Sequence, residues 1–97
     1  MPRYALRVDQ NQDSVVSALQ AAGATVEVIA KPLDLLVGGT NAKGEKKMML
    51  MEVKVPGGTK TPFQEGFFER WKEWEGYTLS QVDGPEAAVR AYRVLIA

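Results

Sequence analysis

Apolar and polar positions alternate along this chain in a way that divides it into a short series of elements. From Asn11 to Ala22 the residues Val15, Val16, Leu19 and Ala22 recur at helical spacing, and Gly23 supplies a stop. Ala24 to Ala30, with Val26, Val28 and Ile29, reads as a strand that Lys31-Pro32 breaks. Leu33 to Val37 is a second short apolar run, ended by Gly38-Gly39, and Thr40 to Lys47 is a polar loop. Met48 to Val55 is the longest strand candidate and is closed by Pro56-Gly57-Gly58. Thr61-Pro62-Phe63-Gln64 has the residues of a helix start, in a helix that carries Phe67, Phe68, Trp71 and Trp74 and ends near Gly76. Tyr77 to Val82 predicts a strand. Asp83-Gly84-Pro85-Glu86 opens a last helix to about Ile96, with Val89, Tyr92 and Ile96 on its apolar face. The order α-β-β-β-α-β-α predicts one α/β domain over residues 1–97, a single sheet flanked by helices.

The third strand contains a conflict. It begins apolar on both faces, as a buried strand does, yet Glu52 and Lys54 project from the same side as Met48 and Leu50. Charged residues are seldom buried without partners, so either this end emerges into solvent as an exposed ion pair or the two charges serve a site. The loop before the strand is centred near Lys43, and the simplest hairpin pairs residues whose numbers sum to about 86. Gly38 then faces Met48, and Asp34 faces Glu52. Two carboxylates so placed repel unless something positive lies between them, and a divalent cation would serve, with Lys54 adding charge on the same face. A slip of one residue would turn Asp34 to the other side.

Composition narrows the chemistry further. With 97 residues there is room for one small domain, whose thin margin of stability dimerisation would help. The chain has no cysteine and no histidine, which excludes disulfides, thiolate metal sites, imidazole bases and most zinc centres. Any metal must be held by oxygen, which favours magnesium, manganese or calcium. No apolar run approaches the length of a membrane span and no signal peptide opens the chain, so a cytoplasmic protein is expected. Formal net charge is zero, but Lys43, Lys46, Lys47, Lys54 and Lys60 fall in one short stretch. That cluster reads either as a solvated loop or as a set of phosphate contacts.

These residues carry a resemblance. Pro32-Leu33-Asp34, seventeen intervening residues and Glu52-Val53-Lys54 resemble the PD-(D/E)XK nuclease signature. The wider string, from Leu33 to Gly38, Met51 to Lys54, Thr61-Pro62-x-Gln64 and Trp71, is similar to small stand-alone VRR-Nuc-like members found in phages and bacteria. Their opening helix is also similar to Asn11-Gln12 followed by Val15, Val16 and Leu19. One departure is that Leu33 stands between Pro32 and Asp34, where the usual proline and aspartate adjoin. The resemblance implies a restriction-endonuclease-like mixed sheet and hydrolysis of DNA phosphodiester bonds with magnesium or manganese. By position, Asp34, Glu52 and the Val53 carbonyl would be metal ligands, and Lys54 would orient or deprotonate the attacking water. A homodimer acting on branched, junction or flap DNA is expected, inside a bacterial or phage-infected cell. The lysines of the loop and Lys60 would then be backbone contacts. Gln64 lies either beside the active site, as in the family, or in a capping box with Thr61. Gln12 occupies a place where relatives often carry an acid or amide near the metal, and a polar first turn explains it equally well. Phe67, Phe68, Trp71 and Trp74 are expected in the core or at a dimer surface rather than stacked on bases. The rival function is a binding module, for nucleic acid or protein, that keeps the fold without catalysis.

Overall fold

A computed structural model describes residues 3–54, 62–71 and 79–97, with side chains from residue 11 onward. The element order is α1 (Arg3–Ala21), β1 (Thr25–Val28), β2 (Leu35–Thr40), β3 (Lys46–Val53), α2 (Pro62–Trp71), β4 (Leu79–Val82) and α3 (Pro85–Leu95). Thr61, Trp74, Gly76 and Tyr77, which figured in the expected bounds of α2 and β4, lie outside the described residues. The four strands form one mixed sheet in the order β1-β2-β3-β4, with β1, β2 and β3 antiparallel and β4 parallel to β3. A parallel neighbour requires a crossover, and α2 lies within that connection.

Alternation along the strands sorts the side chains into two cores. Leu35, Val37, Met49, Met51, Val53 and Val82 join Val15 and Leu19 of α1 and Ala88 and Tyr92 of α3 on one face. On the other face Leu50 packs with Leu33 and Phe67, bordered by Leu36, Phe68, Trp71 and Leu79. The fold is therefore α1 and α3 on one side of the sheet and α2 on the other. Burying a leucine, valine or methionine side chain this fully contributes about 1.5–3 kcal/mol, so these two cores hold the layers together.

Each boundary has a local cause. Helix α1 ends in a Schellman turn: the Ala24 N–H donates to Leu19 O at 3.0 Å and the Gly23 N–H to Gln20 O at 3.0 Å, with Gly23 at φ 103°. It begins eight residues earlier than the apolar stripe implied, because residues 3–10 contain no glycine or proline to stop it. Asn41 organises the β2–β3 turn, its Oδ1 accepting the backbone N–H groups of Lys43 and Glu45 at 3.0 and 2.9 Å. This turn sets the register, and Gly38 faces Met48 as the pairing sum requires.

Three sequence expectations need correction. Gly38-Gly39 does not end the second apolar run; both residues lie inside β2, where Gly39 leaves room for Tyr92 and Ile96 of α3. The loop expected to reach Lys47 gives way to strand at Lys46, since the hairpin ladder extends to Thr40 opposite Lys46. On α3 the inward residues are Ala88 and Tyr92, whereas Val89 is half-buried beside Ala18 and Arg90.

Candidate functional site

The site lies where β2 begins and β3 ends. Antiparallel strands bring the start of one beside the end of the other, so the residues flanking Leu35 and Met51, the last ladder pair, become neighbours. Asp34 and Glu52 are those residues. Asp34 is fixed through its main chain, whose carbonyl accepts the N–H of Ile29 at 2.9 Å and of Ala30 at 3.3 Å. Its side chain crosses to β3, where Oδ2 accepts the Val53 N–H at 2.8 Å. That contact has a cause in the ladder. Val53 faces Val82 of β4, and the Lys54 N–H donates to Val82 O at 2.7 Å. In a parallel ladder Val53's own N–H and C=O then point the opposite way, toward the β2 side, where Asp34 stands.

Glu52 is the sole buried charged residue among those described, at 7% exposure. It shares its face with Leu50, which places it under α2. Gln64, three residues before Phe67, donates from Nε2 to Glu52 Oε2. Glu52 Oε1 is buried and has no hydrogen-bond partner among the described residues. Burial, then the charge of Asp34, then the proton the two carboxyls can share push Glu52 from its ordinary 4.5 up to about 7. The Gln64 amide and the Asp34 main chain pull the other way and do not prevail.

A buried acceptor beside a second carboxylate needs either a proton or a cation. The donors present are all oxygens: two carboxylates, with the Val53 carbonyl on the same side. Magnesium and manganese accept such a set, because magnesium in particular keeps several waters and binds through one or two carboxylates. The residues thus fit the metal that the sequence implies. Among the described residues no group of three or more acidic, histidine or cysteine side chains gathers anywhere.

The other expected site residues divide. Gln64 reaches Glu52 directly. Lys54 is half-buried one residue beyond β3, and strand alternation assigns it to the side of Glu52. Gln12 is half-buried, and no hydrogen bond ties it to either carboxylate among the described residues. Its neighbour Asn11, which the sequence named only as part of the opening-helix likeness and gave no role, donates from Nδ2 to Lys54 O at 3.1 Å. The stripe of α1 is centred on Val15 and Leu19, both fully buried, and Asn11 continues that series at a spacing of four. The spacing was visible; the turn of the helix about its axis was not. Lys43, Lys46 and Lys47 are exposed at the hairpin tip; Lys47 and Lys46 lie five and six residues along β3 from Glu52, about 17–20 Å at 3.4 Å per residue, and Lys43 precedes the strand. The structure does not bring them to the carboxylates, and Lys60 lies outside the described residues.

Beside the site, Pro32, Leu36, Met48, Leu50, Phe67 and Trp71 border an apolar cavity of about 370 Å³. Phe67 contacts Phe68 edge to face at 6.5 Å and Trp71 at 6.1 Å between ring centres, which accounts for these rings as packing. No helix among the described residues is long and apolar enough to cross a membrane. Comparisons of the chain with family models, with curated proteins and with solved structures give no match.

Proposed function

We propose that this chain is a divalent-metal-dependent nuclease that hydrolyses DNA phosphodiester bonds, with branched, junction or flap DNA as its substrate and a homodimer as its working form. The observation that carries the reading is the pairing of buried Glu52 with half-buried Asp34, in which Glu52 Oε1 has no hydrogen-bond partner among the described residues. Asp34, Glu52 and the Val53 carbonyl would hold magnesium or manganese. When bound, the ion supplies a more acidic water and positive charge opposite the phosphate. Gln64 fixes the Glu52 carboxylate from α2. Lys54, next on the same face, orients the attacking water and stabilises charge that develops on the phosphate. The likeness of the Asp34, Glu52-Val53-Lys54 spacing to the PD-(D/E)XK signature supports the same roles.

Purified protein incubated with duplex, single-stranded, flap and four-way DNA should cut only when magnesium or manganese is added. Glu52→Ala and Lys54→Ala should each lower the rate by about 10²–10³-fold, the scale of losing one charge-stabilising group. Metal-independent cutting, or unchanged cutting by both variants, would falsify the reading. The rival, a non-catalytic binding module, draws on the absence of a third acid among the described residues and on the amide at Gln12. It predicts that DNA or a protein partner stays bound after either substitution and that no strand is cut.

A further inference from the structure

We infer that Asn11 is a positioning residue for Lys54, acting from α1 on the main chain that carries the lysine; the catalytic part of this inference rests on the nuclease reading above. Three observations meet here. First, the parallel ladder runs out at Val82, the last residue of β4, and the chain turns at Asp83-Gly84 into α3. The Lys54 N–H still finds a ladder partner, Val82 O at 2.7 Å. Its carbonyl, which points to the same side, would next need an N–H two residues beyond Val82, and there the strand has ended.

Second, Asn11 supplies the missing donor. Its Nδ2 lies 3.1 Å from Lys54 O, a bond between residues 43 apart in sequence. Lys54 is thereby held at both of its backbone polar groups, its N–H by β4 and its carbonyl by α1. With the main chain fixed, the direction in which its side chain leaves the strand is fixed as well.

Third, the anchor is rigid. Asn11 sits one turn before Val15 and two before Leu19, both fully buried, so the amide is presented from the part of α1 that is locked against the sheet. A catalytic amine displaced by 1 Å loses much of its effect, and geometry of this kind is set by residues that never touch the substrate. Asparagine suits the task because its amide donates to a carbonyl without carrying charge. Aspartate of nearly the same shape has no donor and places an acceptor against an acceptor.

The test uses the full chain with Asn11→Ala, Asn11→Asp and Asn11→Gln, read in two ways. Backbone relaxation by NMR, without metal or DNA, should show the Lys54 order parameter falling from the rigid range near 0.85 toward 0.6 in the alanine and aspartate variants. Val15 and Met51 should stay rigid, and the glutamine variant should recover part of the loss. With magnesium and saturating DNA, the alanine variant should lose at least about tenfold in kcat, while KM and the metal concentration at half-activity stay within about twofold. An unchanged Lys54 order parameter overturns the inference whether or not the protein cuts DNA. An unchanged kcat in an active enzyme overturns its catalytic part. A wild-type protein that never cuts, yet whose Lys54 loosens on Asn11→Ala, would remove the nuclease reading and leave the anchoring role established.

Discussion

Glu52 is ionised at neutral pH only at a cost, because its side chain is buried and Asp34 stands beside it. The cost has a definite pH signature. Its folded-state value, about 7, is above the ordinary 4.5, so between those values the native protein holds a proton that the unfolded chain has released. Stability from this group is therefore full below about 4.5, falls as pH rises through that window, and is level above about 7. In chelator, Glu52→Gln should remove the fall: its Tm should exceed wild type by about 4–8 °C at pH 8 for each ~1 kcal/mol relieved, and match it at pH 4.5. Thermal unfolding at four pH values reads this directly. A wild-type protein more stable at pH 8 than at pH 5, with Glu52→Gln showing the same trend, would place the carboxyl in an ordinary solvated setting. At this scale the sequence was informative where a turn did the measuring. The Asn41–Glu45 turn fixes the sum of paired numbers, and that sum placed Asp34 opposite Glu52. It was silent on the role of Asn11, since an apolar stripe leaves the exact facing of a helix to the packing around it.

Among the elements, β2 shows how two identical residues acquire different duties. Gly38 and Gly39 stand side by side in one strand. A Cβ on Gly38 would meet its nearest neighbour, Lys47 O, at 3.7 Å, ordinary contact. One on Gly39 would lie 2.5 Å from Tyr92 Cε1 and 2.8 Å from Ile96 Cγ2, inside both atoms. Tyr92 is buried at 3% exposure and its ring has little freedom to withdraw. Gly39→Ala should therefore cost about 1–3 kcal/mol by forcing α3 off the sheet. Gly38→Ala should be neutral or stabilising by up to about 1 kcal/mol, as a strand glycine gives up backbone entropy on folding. Equilibrium urea unfolding of the two variants decides it, and equal effects would mean that α3 does not press on β2 at Gly39. Strand existence and order were legible from alternation and turn residues, because both are local. The Gly38-Gly39 pair was misread as a stop, because the reason for it lies on a helix more than fifty residues away. Of the residues expected on the apolar face of α3, Tyr92 is buried and Ile96 packs against the same core, while Val89 is half-buried and Ala88, small enough to sit against the sheet, takes the inward place.

For the molecule as a whole, the two features that the proposed nuclease activity would need are at opposite ends of one strand. The carboxylates lie at the end of β3, and Lys43, Lys46 and Lys47 at the hairpin tip where it begins, about 20 Å away at 3.4 Å per residue. Net charge is zero, so no general field draws a polyanion in, and local clusters must do so. A duplex reaching from the site to the hairpin needs roughly 6 base pairs at 3.4 Å each. On the proposed nuclease reading, lysines at that distance would hold phosphates and would not act on the bond being cut. Replacing all three by alanine should thus flatten the salt dependence of binding, changing the slope of log K against log salt by about 3 if each neutralises one phosphate. The rate at saturating DNA should stay within about twofold, and Asn41, which organises the turn, is left in place so that the hairpin keeps its register. Fluorescence anisotropy across a salt series measures the slope and single-turnover cutting measures the rate. An unchanged slope would mean that the hairpin tip is a solvated loop and that DNA approaches the carboxylates from another side. A rate that collapsed even at saturation would mean that these lysines reach the chemistry, which the length of β3 forbids for a single protomer and allows only if a second copy of the chain contributes its hairpin to the site.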